Sequence, residues 1–196
     1  MAVTNDKEIR EALHLKRLSA IKSAPNTIVI DELGLAHAKA RIDVAVINGC
    51  IHGYEIKSGM DTLVRLPAQL ELYGQCLEKL TLVCAARHIE QVDKLAPDWC
   101  GIIKVEKGPR GGISFSTVRR ARQNPQIDAF QLAHLLWRPE ALELLVRQGV
   151  SQTASKKSRK ELYTALAETM DIQQLTAAIR EFMQLRRSWR DRPAHV

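Results

Sequence analysis

The sequence predicts an α/β protein in which a mixed β-sheet core is followed by an all-helical C-terminal region. Three observations support this prediction. Short β-branched runs alternate with helical periodicity over the first part of the chain, the Asn48-Gly49 pair is a strong hairpin signal, and the composition becomes helical and basic after Val118. We therefore expect a core over residues 1–120 and a helical basic accessory region over residues 121–196.

The core is predicted to have the order helix, three strands, helix, strand. The first helix is capped by Thr4 or Asn5 and has an acidic first turn. The second helix carries apolar residues on one face, and its regular part begins near Leu66 because Pro67 is poorly tolerated deeper inside a helix. The predicted ranges are 6–22 for the first helix, 27–33, 40–47 and 51–57 for the strands, 61–79 for the second helix and 80–86 for the fourth strand.

The rest of the chain is predicted to finish the sheet and then to be helical throughout. Two capping boxes support the last two helices, because Ser158 precedes Glu161 by three residues and Asp171 precedes Gln174 by three. The predicted ranges are 88–95 for a short helix, 102–105 and 112–116 for two strands, and 127–136, 139–147, 159–170 and 172–187 for the helices.

Composition excludes several classes of protein. Of the 196 residues, 45% are hydrophobic and 26% charged, which is too apolar for a disordered chain. No apolar run reaches the ~20 residues of a membrane helix, and the first ten residues do not resemble a secretory signal. The four cysteines show no CxxC pair, so we expect no zinc site and a protein of the reducing cytoplasm.

The charge is basic, with 29 Lys and Arg against 22 Asp and Glu, and this favours nucleic acid as a partner. Residues 151–196 contribute 9 basic and 5 acidic residues, a net +4 of the total +7. We expect phosphate contacts from this region, or else a solvated helix end or a surface that meets a partner protein. The candidate contacts are Lys156, Lys157, Arg159 and Lys160, then Arg180, Arg186, Arg187, Arg190 and Arg192, with Trp137 and Trp189 as residues that stack on bases or fill a helical core.

Three charged residues on neighbouring predicted strands form the candidate site. Glu55 and Lys57 point to the same side of their strand because side chains alternate between faces. Asp43 is the only acidic residue of its strand, between Ile42 and Val44. Charges on a central strand are costly to bury without a partner, so this arrangement indicates a site rather than packing. A surface Asp and an edge Glu–Lys pair are the alternative interpretation.

Whether the two carboxylates meet depends on the length of the hairpin loop. A two-residue loop at Asn48-Gly49 pairs Asp43 with Tyr54, which puts Asp43 and Glu55 on opposite faces. A three-residue loop pairs Ile47 with Ile51 and Asp43 with Glu55, and only this register or a bulge builds a site. Two carboxylates at close range then take up a proton or share a cation, and oxygen ligands suit Mg²⁺ or Mn²⁺.

The spacing resembles that of the PD-(D/E)XK nuclease superfamily. Asp43, eleven intervening residues and then Glu55-Ile56-Lys57 match its motif, within the same order of helix, three strands, helix and strand. Ile42 stands where many members have Pro. The wider pattern is similar to that of a group of small bacterial and phage proteins of this superfamily, through the segments 29–33, 41–45, 54–58 and 61–63 together with Arg65, Leu66, Gln69 and Tyr73.

The resemblance implies a restriction-endonuclease-like core and a role for each matching residue. Asp43 and Glu55 would bind Mg²⁺ or Mn²⁺, the backbone carbonyl of Ile56 would complete the metal shell, and Lys57 would position the attacking water. Gln69 and Tyr73, four residues apart, would reach toward the site or a phosphate. An acidic residue of the first helix would join the metal, with Glu11 or Glu8 as candidates and Glu32 as another possible ligand.

The sequence therefore leads us to expect a Mg²⁺-dependent nuclease that hydrolyses phosphodiester bonds, with DNA as the favoured substrate over RNA. We expect no association with membranes. Two other classes stay open. One is a protein that binds nucleic acid on a nuclease-like scaffold without cleaving it. The other is a protein-interaction module whose helical tail meets an acidic partner.

Overall fold

The structure is a computed structural model that describes residues 3–150 and 156–186. The chain forms two compact units, which adjoin in sequence between Ile127 and Asp128. The expected boundary at residue 120 falls seven residues earlier. The difference arises because Asn124 is buried in the first unit, where its side-chain amide donates to the carbonyls of Gly74 (2.6 Å) and Leu77 (2.7 Å).

The first unit contains a six-stranded mixed sheet, which confirms the predicted α/β class. The strands lie in the order β1-β2-β3-β4-β5-β6, antiparallel from β1 to β3, parallel from β3 to β5, and antiparallel between β5 and β6. The elements are α1 Asp6–Lys16, α2 Ser19–Lys22, β1 Ile28–Leu35, β2 Ala40–Ile47, β3 Ile51–Lys57, α3 Leu66–Cys76, β4 Lys79–Ala85, a 3₁₀ turn Ala86–His88, α4 Ile89–Leu95, β5 Gly101–Lys107 and β6 Ile113–Arg119.

Helix α1 begins at the predicted cap but ends earlier than predicted. The Asn5 side chain accepts a hydrogen bond from the Glu8 backbone amide, and the Glu8 carboxylate accepts one from the Asn5 backbone amide. This capping box fixes the start of the helix. The amides of Arg17 and Leu18 both donate to the carbonyl of Leu13, which closes the helix at Lys16. The chain bends there because Leu18 is buried in the core.

The sheet has a helix on each face. Helix α1 packs Ile9, Ala12 and Leu13 against the face that carries Val44, Tyr54 and other buried apolar residues. Helix α3 lies on the opposite face, which carries Glu55 and Lys57, and it buries Leu66, Leu70 and Tyr73 there. The two charged residues of β3 are therefore covered by α3 and not by α1.

The second unit is helical wherever the structure describes it, as predicted. Its helices are α5 Ala129–Ala133, α6 Arg138–Arg147, α7 Arg159–Thr169 and α8 Ile172–Leu185. Both predicted capping boxes, at Ser158 and Asp171, are present. Helix α5 is shorter than the predicted 127–136 because Asp128 caps it and it closes after one turn.

In residues 3–150 and 156–186 we find no helix with the length and apolar character needed to cross a bilayer. Cys50 is partly exposed and Cys76, Cys84 and Cys100 are buried, and none of the four is in a disulfide bond.

Close packing at the start of β5 gives a stability prediction. A Cβ on Gly101 would lie 2.7 Å from the Ala121 amide nitrogen and 2.9 Å from the Thr81 hydroxyl, whereas a Cβ on Gly112 would meet nothing within 4 Å. We expect Gly101→Ala to lower the free energy of unfolding by about 1–3 kcal/mol, because backbone atoms must shift. Gly112→Ala serves as the matched control and should be neutral or slightly stabilising. Urea unfolding measures both, and equal midpoints would contradict the packing argument.

Candidate active site

The site lies where β2 and β3 separate. Their ladder runs from Ile47↔Ile51 to Val44↔Tyr54 and stops there. Beyond that pair, β2 continues to Ala40 while paired only with β1, and β3 continues to Lys57 while paired only with β4. We call this opening, between residues 40–43 of β2 and 55–57 of β3, the fork.

The hairpin loop has three residues, which is the register that the site requires. Ile47 pairs with Ile51, so Asn48, Gly49 and Cys50 form the loop. Gly49 has φ +66°, a left-handed conformation that glycine adopts without steric cost, as expected of a three-residue hairpin. The register therefore brings Asp43 level with Glu55.

Asp43 stands at the point where the fork opens. Its Oδ2 accepts a hydrogen bond from the Ile56 amide at 2.6 Å, so the carboxylate substitutes for a strand carbonyl. The regular alternation also breaks here. Val44 packs in the α1 core, whereas Ile42 lies against Gly53 on the opposite face. Glu32 of β1 faces Asp43, and these two residues are missing from the β1–β2 pairing. Glu32 has φ +59°, a left-handed conformation.

Glu55 is held at the other side of the fork by three side chains. It is 2% exposed, and its Oε1 lies 2.6 Å from Lys57 Nζ and accepts from Gln69 Nε2 at 2.8 Å. Its Oε2 accepts from the Tyr73 hydroxyl at 2.7 Å. Lys57 also donates to Gln69 Oε1 at 2.9 Å, so Glu55, Lys57 and Gln69 form a closed triangle of hydrogen bonds.

A pocket of about 470 Å³ opens at the fork. It brings together five of the residues predicted to act, namely Asp43, Glu55, Ile56, Lys57 and Gln69. Tyr73 does not line the pocket and supports Glu55 from below, where it is fully buried. Other charged residues at its wall are Asp6, Glu32, Lys39, Arg41, Asp61 and Arg65.

The structure does not bring the first-helix candidates into the pocket. Glu11 is exposed and does not line it, which corrects the expectation that Glu11 binds metal. Glu8 pairs with Lys107 at 2.7 Å, and that hydrogen bond together with the Asn5 amide lowers the pKa of Glu8. Asp6 is the residue of α1 that lines the pocket, and five residues turn a helix by about 140°, so Glu11 points elsewhere. Glu32 does line the pocket, where it pairs with Arg10 and Arg41, and its role as a metal ligand stays a prediction.

Arg10 is the contact that sequence reasoning missed. Its Nη2 lies 3.2 Å from Asp43 Oδ1 and 3.1 Å from Asp6 Oδ1, and its Nη1 pairs with Glu32. One guanidinium thus partly neutralises three carboxylates. The available signal was the i, i+4 spacing of Asp6 and Arg10 beside the buried residue Ile9, which puts both side chains at the edge of the packed face.

The predicted nucleic-acid contacts of the second unit have mixed outcomes. Lys156, Arg159 and Lys160 are exposed at the start of α7, and Lys157 is half-buried. Arg186 is a correction, because its side chain is 4% exposed, pairs with Glu140 at 2.5 Å and stacks on the ring of Trp137, 4.4 Å from its centroid. Arg180 and Trp137 are half-buried, and Arg187, Arg190, Arg192 and Trp189 lie outside the described residues.

The electrostatics of Asp43 favour binding of a cation or a proton. Burial, reinforced by the nearby charge of Glu55, raises the pKa of Asp43 to about 7, against the opposing effects of the Ile56 amide and Arg10. Burial and Glu55 likewise raise the pKa of Tyr73, which keeps that hydroxyl protonated as a donor. Within the described ranges, no three His, Cys, Asp or Glu side chains form a group arranged to hold a metal ion.

The Asp43 shift gives a prediction for pH dependence. Its folded pKa is raised above the unfolded value of about 3.9, so the folded state binds more protons between about pH 4 and pH 7. The free energy of unfolding therefore falls as pH rises through this window. Asp43→Asn should not show this loss, so its free energy of unfolding should rise relative to that of the wild type from pH 4 to pH 7.

Denaturant unfolding in a chelating buffer measures this difference. Asp98→Asn is the control, because Asp98 is fully exposed and does not line the pocket. A stability difference between wild type and Asp43→Asn that does not change with pH would contradict the raised pKa.

Comparison with known proteins gives one clear relationship. No solved structure matches the chain. Protein cII of Enterobacteria phage P4 is 28% identical over 155 residues, which cover 79% of this chain and 56% of that protein, so the chain spans just over half of this relative. The family profile of bacteriophage P4 protein cII matches residues 3–192, nearly the whole chain. The chain therefore belongs to the bacteriophage P4 protein cII family.

Proposed function

We propose that this protein is a metal-dependent nuclease that hydrolyses phosphodiester bonds, of DNA in preference to RNA. The observation that carries the proposal is the convergence of Asp43, Glu55 and Lys57 on one pocket at the fork. The two acidic residues come from strands that separate at this point, and the lysine lies 2.6 Å from one of them. The same three residues carry the resemblance to PD-(D/E)XK nucleases.

The donor set fits a hard divalent cation. Asp43 and Glu55 supply carboxylate oxygens, and Ile56, whose carbonyl is the proposed third ligand, lines the same pocket. The raised pKa of Asp43 supports this choice, because two carboxylates at one pocket create a demand for positive charge. When bound, Mg²⁺ or Mn²⁺ would polarise the phosphate and lower the pKa of an attacking water.

Lys57 and Gln69 supply the positioning. The Lys57 ammonium is fixed by Glu55 at 2.6 Å and by Gln69 at 2.9 Å, which leaves its third N–H for a water molecule or a phosphate oxygen. In this position, Lys57 orients the attacking water and stabilises the negative charge of the transition state. Gln69 keeps the ammonium in place through its bonds to Glu55 and Tyr73.

The pocket also offers cations for the substrate. Lys39 and Arg65 line it, and neither has an ion-pair partner among the residues that the structure describes. Arg41, in contrast, pairs with Glu32 at 2.5 Å. A volume of about 470 Å³ is in the range of pockets that hold small molecules, which suits a phosphate with part of its nucleotide.

One observation favours a second candidate, a protein that binds nucleic acid without cleaving it. Both oxygens of Glu55 already have protein partners, and Arg10 contacts Asp43. In Glu55, and in part in Asp43, protein contacts thus stand where the contacts to a cation would be. The two candidates differ in whether Mg²⁺ or Mn²⁺ displaces these contacts and whether cleavage follows.

The test is a cleavage assay on plasmid and labelled oligonucleotides with Mg²⁺ or Mn²⁺. We expect Asp43→Asn and Lys57→Ala to lower the cleavage rate by about 100-fold or more, because each removes a group that acts in the transition state. Lys94→Ala is the matched control, because Lys94 is exposed, pairs with Glu90 at 2.7 Å and does not line the pocket. Circular dichroism checks the fold of each variant, since removing Lys57 leaves Glu55 buried without its cation.

Asp43→Asn decides the question because it keeps the shape of the side chain and an oxygen for the Ile56 amide. Cleavage that survives in both variants would overturn the proposal. Binding of oligonucleotides with no cleavage by the wild type, and no heat of Mn²⁺ binding in calorimetry, would favour the non-catalytic protein.

A further inference from the structure

A loop beside the pocket presents apolar side chains to solvent. It connects β3 to α3 and comprises residues 58–65, which we call the rim loop. Asp61 and Arg65 of this loop line the pocket. Met60 and Val64, which immediately precede those two residues, are 72% and 86% exposed.

The rim loop is firmly held, so this exposure is a defined feature of its surface. The Ser58 amide and hydroxyl both donate to Asp61 Oδ2, at 2.7 Å and 2.6 Å. The Asp61 carbonyl accepts from Arg87 at 2.6 Å, and the Gly59 amide donates to the Thr4 hydroxyl at 2.9 Å. Leu63 is buried and anchors the loop between the two exposed residues.

The same bonds decide what Arg65 can do. The i, i+4 spacing of Asp61 and Arg65 favours an ion pair, but the Asp61 carboxylate is engaged by Ser58 instead. Arg65 is therefore an exposed cation at the pocket wall with no ion-pair partner in the described part of the chain. A cation without an ion-pair partner in the described residues and a firmly held apolar surface thus adjoin in the rim loop.

We propose that Met60 and Val64 form a platform for the face of an unpaired nucleobase next to the scissile phosphate. The inference rests on the proposed nuclease function and deepens it by naming the substrate class, which is single-stranded or locally unpaired nucleic acid. A base has an apolar face, and methionine sulfur makes favourable contacts with aromatic rings. In an intact duplex these faces are stacked on one another and are not available.

Charge complementarity selects a nucleotide as the occupant. Lys39 and Arg65 stand at the pocket wall, and both attract the phosphates that link successive bases. An apolar protein segment would leave these cations without partners. A strand with an unpaired base can contact the cations and the apolar surface together, because each nucleotide carries a phosphate and a ring with an apolar face.

The test measures binding in the Asp43→Asn background with Mg²⁺, where cleavage is blocked. The probes are a fluorescein-labelled single strand, the same strand with one abasic site moved along it, and a fully paired duplex. We expect one abasic position to weaken binding about tenfold, the scale of a single base contact. Adding Met60→Ala and Val64→Ala should weaken binding of the intact strand by a similar factor and abolish the abasic effect.

Leu15→Ala is the control, because Leu15 is as exposed as Met60 but does not line or adjoin the pocket. It should leave both affinity and the abasic effect unchanged, and duplex binding should not respond to the double substitution. Normal strand binding with an undiminished abasic effect in the double variant would overturn the platform while leaving the nuclease proposal intact. Absence of any oligonucleotide binding or cleavage would overturn both.

Discussion

The hydrogen bond from the Ile56 amide to the Asp43 carboxylate, 2.6 Å long, is what allows β2 and β3 to separate. A buried backbone amide needs an acceptor, and where two strands diverge that acceptor is normally lost. Here a side chain from the departing strand supplies it. The same bond therefore accompanies the opening of the fork and fixes Asp43 at the point where the two strands part.

The negative charges around the fork are not fully compensated, and Asp43 is the carboxylate that lacks a full positive partner. Glu55 is deeply buried, but Lys57, Gln69 and Tyr73 satisfy its two oxygens. Asp43 shares Arg10 with Asp6 and Glu32, and so receives only part of a positive charge. Burial, reinforced by this deficit of positive charge, raises the pKa of Asp43, and a proton or a cation would supply the missing charge.

The sequence was most informative where local chemistry decides the structure. The ranges 40–47 and 51–57 were predicted to the residue, because β-branched runs on either side of an Asn-Gly turn leave little freedom. From the sequence, the convergence of Asp43 and Glu55 depended on the length of the hairpin loop. The structure has the three-residue loop that brings them level. The restriction-endonuclease-like arrangement stays a prediction beyond the confirmed mixed sheet.

The sequence was least informative where tertiary docking decides which side chain reaches the site. The sequence did not distinguish Glu8 from Glu11 as the first-helix candidate, and the packing of α1 on the sheet brings Asp6 to the pocket instead. Arg186 was predicted to contact phosphate, but its buried position beside Glu140 and Trp137 depends on how the helices of the second unit pack together. The left-handed conformation of Glu32 has no sequence signal, because it is not glycine and its neighbours read as a strand.

The turn between β1 and β2 has a strained backbone, and it precedes residues that line the same pocket. Ala36, His37 and Ala38 have φ values of 47°, 60° and 59°, and each such conformation costs about 1–2 kcal/mol in a residue with a Cβ. The paired strands on both sides hold the turn in this form, and the chain then returns so that Lys39 and Arg41 line the pocket. Strain of this kind persists only where surrounding structure enforces it, and it gathers at functional sites. The turn and the rim loop thus bring Lys39 and Arg65 to the pocket from two different connections, and the phosphates of the proposed substrate would meet both cations.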